Sequence, residues 1–376
     1  MTALLALCFL FGADAPSGSC LTRVAALVAR CAEDLPAMRG PAEDAAARLA
    51  RGGRLFASGA PGMVSELTGR AGGFMMIRPL GKEIPGPDDV VLHTPAPGLA
   101  APEALAGSAA FVAVFGVPEP GLDAPVFESH AKAFGVSPSL AAAAPAWLFT
   151  GELIAALTRL GKMPVLYESI GAYGGNARMT QFKQGEIAFH ENPGVPPVAP
   201  GVLGARYAAE TGRMLGRIER EGRGKLETAG KWAREAREGG KKLWMYSMGH
   251  IFPDEVEKTA LGTVFASATW NAGFRVPHPE DVYAPGDFIA HIGYQQPPDT
   301  LLRRAVPAGA RVAYVSVRPD RDFMADGAGA VWVDPMWDWP DACVSIEGYD
   351  VPALAASGIV NGAVAWEIYR LLMSGE

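Results

Sequence analysis

The chain has 376 residues, of which 49% are hydrophobic and 19% charged, so it can form two domains of ordinary size and is not expected to be disordered. Its 40 acidic and 33 basic residues give a formal charge of −7, which argues against a nucleic-acid partner. The 4 cysteines lack CxxC spacing and nearby histidine pairs, so the sequence supports neither a metal site nor a disulfide framework, and we predict reduced, inert thiols and no cofactor.

The N-terminal segment has two interpretations. An apolar run from Ala3 to Gly12 precedes Ala13-Asp14-Ala15, which has the small-x-small form of a signal-peptidase site, but no basic residues precede the run. Residues 1–15 are therefore either a cleaved leader or part of a half-buried first helix. The first alternative predicts an exported, periplasmic protein and the second a cytoplasmic one. Elsewhere the sequence predicts no membrane span.

Two stretches of the chain carry the same order of elements. An alanine-rich helix from Glu43 ends at Gly52-Gly53 and precedes an apolar strand over residues 54–59. A charged helix through Glu238, whose alternating charges indicate a solvated face, ends at Gly239-Gly240 before a strand that starts at Lys242. The repeated order of helix, glycine cap and strand predicts two copies of one unit.

Further matches follow in the same order. Residues 70–74 match 270–274, residues 89–93 match 287–291, and the buried-strand candidates 112–115 match 312–315. We therefore predict an α/β fold of two doubly wound, mostly parallel-sheet, flavodoxin-like domains in tandem, with helices on both sheet faces and shared strand order. The predicted domains are residues 16–190 and 203–376, joined by a proline-rich linker at 191–202, with a final helix from about Ala353 to Leu372.

Ligands of such sheets bind beyond the carboxyl ends of the strands. That edge should present Ser58, Gly59, Ser65 and His93 in the first copy, with Ser247, Gly249, His250 and His291 in the second. We also expect the two copies to be related by a pseudo-twofold axis, since each would otherwise expose an apolar edge.

The stretch from Ser58 to Gly73 resembles the sugar isomerase (SIS) domain, a phosphosugar-binding fold, most specifically in its Glu-x-x-x-Arg-Ala-Gly-Gly string. Met248-Gly249-His250 resembles the Gly-His turn of that family, and residues 341–359 and 151–169 resemble other segments of it. The resemblance implies tandem SIS domains that bind a sugar phosphate, as in aldose–ketose isomerases. The turns at 115–118 and 292–295, however, lack the Ser/Thr-rich phosphate cradle of the family.

Isomerisation of an aldose to a ketose needs a base that moves a proton between adjacent carbons. The candidate catalytic residues are Glu66, Glu152, His250 and Glu255, and the candidate substrate-binding residues are Ser58, Gly59, Ser65, Arg70, His93, Ser247, Gly249, His291 and Ser357. Each has a structural alternative. Glu66 and Arg70 can form a bridge on one helix, His250 can line its turn, and His93 and His291 can bond backbone carbonyls.

The leading functional hypothesis is therefore a protein of the isomerase type that binds a small-molecule sugar or sugar phosphate. The alternative is a non-catalytic sensor or binding protein that lost the phosphate cradle. The turn at 59–62 is not a dinucleotide fingerprint, because Gly-x-Gly-x-x-Gly is absent and Pro61 has no N–H. We further predict that the turn at 247–250 contributes more to ligand binding than the turn at 58–61. The oligomeric state, including a homo-oligomer, is left open.

Overall fold

A computed structural model describes residues 17–96, 98, 101–170, 175–247, 250–269, 282–294, 298–317, 326–327, 329–338 and 340–374. The candidate leader, Gly249 and the match at 270–274 lie outside these residues. The predicted domain boundaries therefore remain predictions.

The first half contains one parallel sheet and six α-helices among its described residues. The chain runs through α1 (Cys20–Ala32), α2 (Leu35–Ala50), β1 (Leu55–Gly59), α3 (Pro61–Leu67), β2 (Arg78–Pro79), β3 (Val90–Thr94), β4 (Phe111–Phe115), β5 (Val126–Phe127), α4 (Ala131–Phe134), α5 (Pro138–Arg159) and α6 (Gly175–Gln181). The strands lie in the order β2-β1-β3-β4-β5 and all pair in parallel. Apolar runs form the central strands because both faces of a parallel sheet are buried.

The second half repeats this plan. Its elements are α7 (Val202–Glu221), α8 (Arg223–Glu238), β6 (Leu243–Ser247), α9 (Phe252–Lys258), β7 (Ala266–Thr269), β8 (Phe288–Ile292), α10 (Asp299–Ala305), β9 (Arg311–Val315), β10 (Asp326–Gly327), β11 (Ala330–Val333), β12 (Ala342–Val344), β13 (Ala353–Ala355) and α11 (Ser357–Met373). The main sheet has the order β10-β11-β9-β8-β6-β7, in which only the pairing of β10 with β11 is antiparallel.

Both sheets share one strand order. Counted from the first strand of each half, the parallel strands run 2-1-3-4-5 in both, with β6, β7, β8, β9 and β11 taking the places of β1 to β5. This is the flavodoxin-like order. The α/β fold class predicted from the sequence is confirmed.

Equivalent helices of the two halves pack against each other. Helix α1 contacts its counterpart α7, and α3 contacts its counterpart α9. Helix α5 of the first half contacts α7 of the second half. In the same way α11, the counterpart of α5, contacts α1, the counterpart of α7. Such exchanged pairs are what an approximate twofold relation between two similar units requires.

Two details differ from the sequence-based expectation. The outer face of the first sheet, with Phe56 and Val91, is covered by Leu80 and Leu105 from irregular segments, where we expected helices. Residues 353–355 form strand β13, so the final helix begins later than expected, at Ser357. The strand forms because β13 pairs with β12 in a small antiparallel sheet.

Helix α5 is apolar around its whole circumference. It is the one helix among the described residues that is long and apolar enough to cross a membrane, and its residues from Leu140 to Thr158 are buried between other elements. A helix that is hydrophobic on all sides is expected at the centre of a large core as well as in a bilayer. Phe111, Phe115 and Phe127 of the first sheet pack against Phe149 of this helix.

The first and last described helices are joined directly. The backbone N–H of Cys20, at the start of α1, donates to Oε2 of Glu367 in α11 at 2.8 Å. Arg223 at the start of α8 donates to Oε1 of the same carboxylate at 2.6 Å. Since free N–H groups at a helix start favour a negative charge, the buried Glu367 is stabilised where three helices meet.

Candidate functional site

A buried ion cluster joins the two halves. It consists of Arg70 and Glu66 from the first half and Asp341 from the second, none of them more than 2% exposed. Nη2 of Arg70 lies 3.4 Å from Oε1 of Glu66 and 3.2 Å from Oδ2 of Asp341. Burial raises the pKa of Glu66, and the positive charge of Arg70 opposes that shift. The bridge between Glu66 and Arg70 considered from the sequence is present, but not on one helix, because α3 ends at Leu67 and Arg70 lies beyond it.

Three further groups form hydrogen bonds with the ion cluster. Tyr294 donates to Oδ2 of Asp341 at 2.6 Å, and the backbone N–H of Ser357 donates to Oδ1 at 2.8 Å. Arg70 in turn donates to Oγ of Ser357 at 2.7 Å. Arg70 and Ser357, both predicted to bind substrate, thus hold the start of α11 against the first half.

The glycines after Arg70 fit the same junction. Gly72 has φ +76°, and a Cβ at this position would come within 2.5 Å of the Ala342 Cβ and 2.6 Å of the Leu354 backbone nitrogen. The N–H of Leu354 donates to the carbonyl of Gly72 at 3.0 Å. The Arg-Ala-Gly-Gly string therefore lies at the contact between the halves, where no side chain fits.

Glu66 and Glu255 make matching contacts in their respective halves. Trp147 donates to Glu66 at 3.2 Å and Trp366 donates to Glu255 at 2.9 Å. The two tryptophans occupy the same position counted from the start of α5 and of α11. Each carboxylate also reaches the opposite half. A Cβ on Gly358 of α11 would lie 2.2 Å from Oε1 of Glu66.

Glu255 closes the start of helix α5. Its carboxylate accepts hydrogen bonds from Ser137 and Ser139 at 2.7 Å and from the backbone N–H of Leu140 at 3.1 Å. A carboxylate at a helix N-terminus is stabilised by the unpaired N–H groups there. With 1% exposure, Glu255 has the contacts of a structural cap, and a catalytic role for it remains untested.

Glu152 is also used within the fold. Both of its oxygens accept the backbone N–H of Gly201, each at 2.9 Å, immediately before α7 begins. Burial raises the pKa of Glu152. The side chain is 1% exposed, so a substrate has no direct access to it.

His250 faces the first half. Its Nδ1 lies 3.1 Å from the backbone carbonyl of Ser65, and its φ is +67°. Burial, with the nearby Arg70 charge, lowers the pKa of His250 to about 3, so the ring is neutral at ordinary pH. The proposal that the turn at 247–250 dominates ligand binding stays a prediction, since Gly249 lies outside the described residues.

A cleft of about 480 Å³ opens at the carboxyl end of β1. We call it the β1 cleft. It contains the predicted Ser58, Gly59 and Ser65 and several residues that the sequence did not indicate. Its lining residues are Ala57, Ser58, Gly59, Pro61, Val64, Ser65, Thr68, Pro79, Leu80, Gly81 and Pro102.

His93 lies behind the β1 cleft. It is level with Ser58 in the paired strands β1 and β3, and its ring is 1% exposed. Nε2 of His93 lies 3.5 Å from Oε2 of Glu119, while burial lowers the pKa of the imidazole. Gly59, with φ +96°, separates the ring from the cleft. A Cβ there would lie 3.1 Å from His93 Cε1 and 1.9 Å from the carbonyl oxygen of Thr94.

The matching edge of the second sheet carries Ser247 and His291. Both are about 4% exposed, and His291 occupies the same position in β8 as His93 does in β3. Burial lowers the pKa of His291 to about 4. The structure thus brings Ser58, Gly59 and Ser65 together and leaves Ser247 and His291 in the other sheet.

The sequence did not indicate Trp147, Asp341 or Glu119 as partners of the candidate residues. Trp147 could have been found from the repeat, because Trp366 has the same place in the second copy. Asp341 and Glu119 lie in irregular segments without a pattern that marks them. The described residues hold no group of three or more His, Cys, Asp or Glu side chains that could bind a metal ion.

No protein-family model matches the chain, and no curated protein matches it. Two solved structures are similar over most of their length. One, from Salmonella typhimurium and provisionally named a sugar-binding protein, has 10% identity and a TM-score of 0.43, covering 93% of this chain and 98% of its own. The other, from Silicibacter pomeroyi and provisionally named a phosphosugar isomerase, has 12% identity and a TM-score of 0.39, covering 93% of this chain and 97% of its own. Likenesses of this strength do not carry a functional assignment.

Proposed function

We propose that this chain binds a sugar or a related carbohydrate derivative in the β1 cleft. The observation that carries the proposal is the cleft itself, because its volume of about 480 Å³ lies in the range of small-molecule sites. It opens at the carboxyl end of β1, next to the reversal of strand order where ligands of such sheets bind.

The lining of the β1 cleft suits a ligand that has both apolar and hydroxyl-bearing surfaces. Val64, Leu80 and the prolines offer apolar contacts, while Ser58 and Ser65 offer hydroxyl groups. Neither of these two hydroxyls forms a hydrogen bond within the described part of the chain, so both can bond a ligand. Sugars combine C–H faces and hydroxyl edges in this way.

Binding without isomerisation fits the contacts better than catalysis does. A general base must come within hydrogen-bonding distance of the proton that it removes. Glu66, Glu152 and Glu255 are each at most 1% exposed and are bonded to groups of the fold. None of the three lines the β1 cleft. These contacts favour the sensor or binding protein over the isomerase.

The test measures binding of a panel of sugars and sugar derivatives by calorimetry. We expect Ser58→Ala and Ser65→Ala each to weaken binding about three- to tenfold, because one hydrogen bond contributes about 0.5–1.5 kcal/mol. Ser374→Ala, at the exposed end of α11, is the matched control and should change nothing. Unchanged affinity in both cleft variants would refute the location of the site.

Catalysis is tested separately with the bound sugar. Incubation in deuterated water should leave its carbon-bound protons unexchanged if the protein only binds. Exchange at the carbon next to the carbonyl, at a rate that depends on the protein, would instead support the isomerase. The absence of binding to any sugar in the panel would refute the proposed function as a whole.

A further inference from the structure

The β1 cleft carries no charge among its described lining residues. Its described walls are formed by alanine, serine, glycine, proline, valine, threonine and leucine residues. A phosphate monoester brings a charge of roughly −1.5 to −2 at neutral pH, and an unpaired charge is costly to remove from water. Proteins therefore meet phosphate with Arg, Lys or several free backbone N–H groups.

The turn at the start of α3 has no free backbone N–H at residues 60, 61 and 62. The N–H of Ala60 donates to the carbonyl of Thr94 at 2.8 Å. Pro61 has no N–H. The N–H of Gly62 donates to Oδ2 of Asp254 at 2.7 Å. The backbone at this turn is thus already paired, and one of its partners is a carboxylate.

Asp254 belongs to the other half of the chain. It lies in α9, its side chain is 17% exposed, and a Cβ on Gly62 would come within 2.8 Å of the Asp254 Cβ. Among the described residues Lys258 is the one cation paired with Asp254, at 3.1 Å, and it is 56% exposed, so solvent weakens its neutralisation of the carboxylate. A negative charge therefore lies at the start of α3, next to Pro61, which lines the cleft.

We infer that the β1 cleft takes uncharged polyhydroxyl ligands and rejects their phosphate esters, with Asp254 as the residue that sets this specificity. The inference rests on the proposed function and names its ligand class. Asp254 acts in two ways, because it occupies the N–H of Gly62 and its charge repels an anion.

The first measurement compares neutral hexoses and N-acetylhexosamines with their 6-phosphates on the wild-type chain. We expect a neutral sugar to bind at least tenfold more tightly than its own phosphate. Raising the ionic strength should narrow that ratio, because salt screens the repulsion. This arm needs no variant, so it holds even where a substitution disturbs folding.

The second measurement uses Asp254→Asn, which keeps an oxygen that can accept the N–H of Gly62 but removes the charge. The affinity for the phosphate should rise about three- to tenfold, in line with repulsion at a partly exposed site, while the affinity for the neutral sugar stays the same. Glu257→Gln is the matched control, since it removes the same charge from the exposed side of the same helix. It should leave both affinities unchanged.

Three outcomes would overturn the inference. Wild-type protein that binds the phosphate as tightly as the neutral sugar would refute it and leave carbohydrate binding intact. An unchanged ratio in Asp254→Asn would remove Asp254 as its cause. Binding of neither member of any pair would refute the proposed function together with the inference.

Discussion

Replacement of His291 by glutamine should remove part of the acid sensitivity of folding. The imidazole is about 4% exposed within β8, and burial lowers its pKa from 6.5 to about 4. Between these values the unfolded chain binds a proton that the folded chain does not. Stability from this group is therefore fully present above pH 6.5 and is lost as the pH falls towards 4.

The size of the effect follows from the two pKa values. A pH of 5 is about 1.5 units below the pKa of the histidine in the unfolded chain, and one pKa unit corresponds to about 1.36 kcal/mol. When the pH falls from 7 to 5, the free energy of unfolding should therefore decrease by about 2 kcal/mol more in the wild type than in His291→Gln. Glutamine has no titrating group, so the difference isolates this one side chain.

Urea denaturation followed by tryptophan fluorescence at pH 5, 7 and 8 measures the difference. Between pH 7 and pH 8 both proteins should change alike, which is the internal control. If the free energy of unfolding falls equally in wild type and variant between pH 7 and pH 5, to within about 0.5 kcal/mol, the imidazole takes up its proton as readily in the folded as in the unfolded chain. That result would refute the reasoning.

Two further substitutions test the contacts between the halves. Arg70→Met should lower the free energy of unfolding by about 3–5 kcal/mol, because Glu66 and Asp341 would remain buried without a cation; a loss below about 1 kcal/mol in urea denaturation would contradict the ion cluster. Glu255→Gln should cost about 1–3 kcal/mol, because an amide NH₂ would face donors that now bond a carboxylate, among them Trp366; an unchanged denaturation midpoint would show that this carboxylate is not a cap.

The sequence was sufficient for the fold class because each buried parallel strand is a short apolar run. The runs at 112–115 and 312–315 lie within β4 and β9, and the glycine pairs at 52–53 and 239–240 lie between a helix and the first strand of each half. Strand order is common to both halves because both follow the same succession of elements. Helices were expected on both sheet faces from the doubly wound plan, and the segment that carries Leu105, which forms turns, has no periodic pattern that could have corrected this expectation.

The site was predictable only where position in the fold decides it. Ser58, Gly59 and Ser65 line the β1 cleft because they lie at the carboxyl end of β1 or in the helix that follows it. The role of a carboxylate depends on partners that are distant in the sequence. Glu66 meets Trp147, and Glu255 meets Ser137, through contacts that no local pattern encodes.

The bond between Cys20 and Glu367 also bears on how the chain is synthesised. The N–H at the start of α1 is bonded by a residue 347 positions later, so this bond forms only after α11 has left the ribosome, although α5 and α7, which also pack against α1, are made earlier. At roughly 5–20 residues per second, that interval lasts tens of seconds. A chain stopped before α11 would therefore lack the carboxylate that closes its first helix, even with α5 and α7 in place.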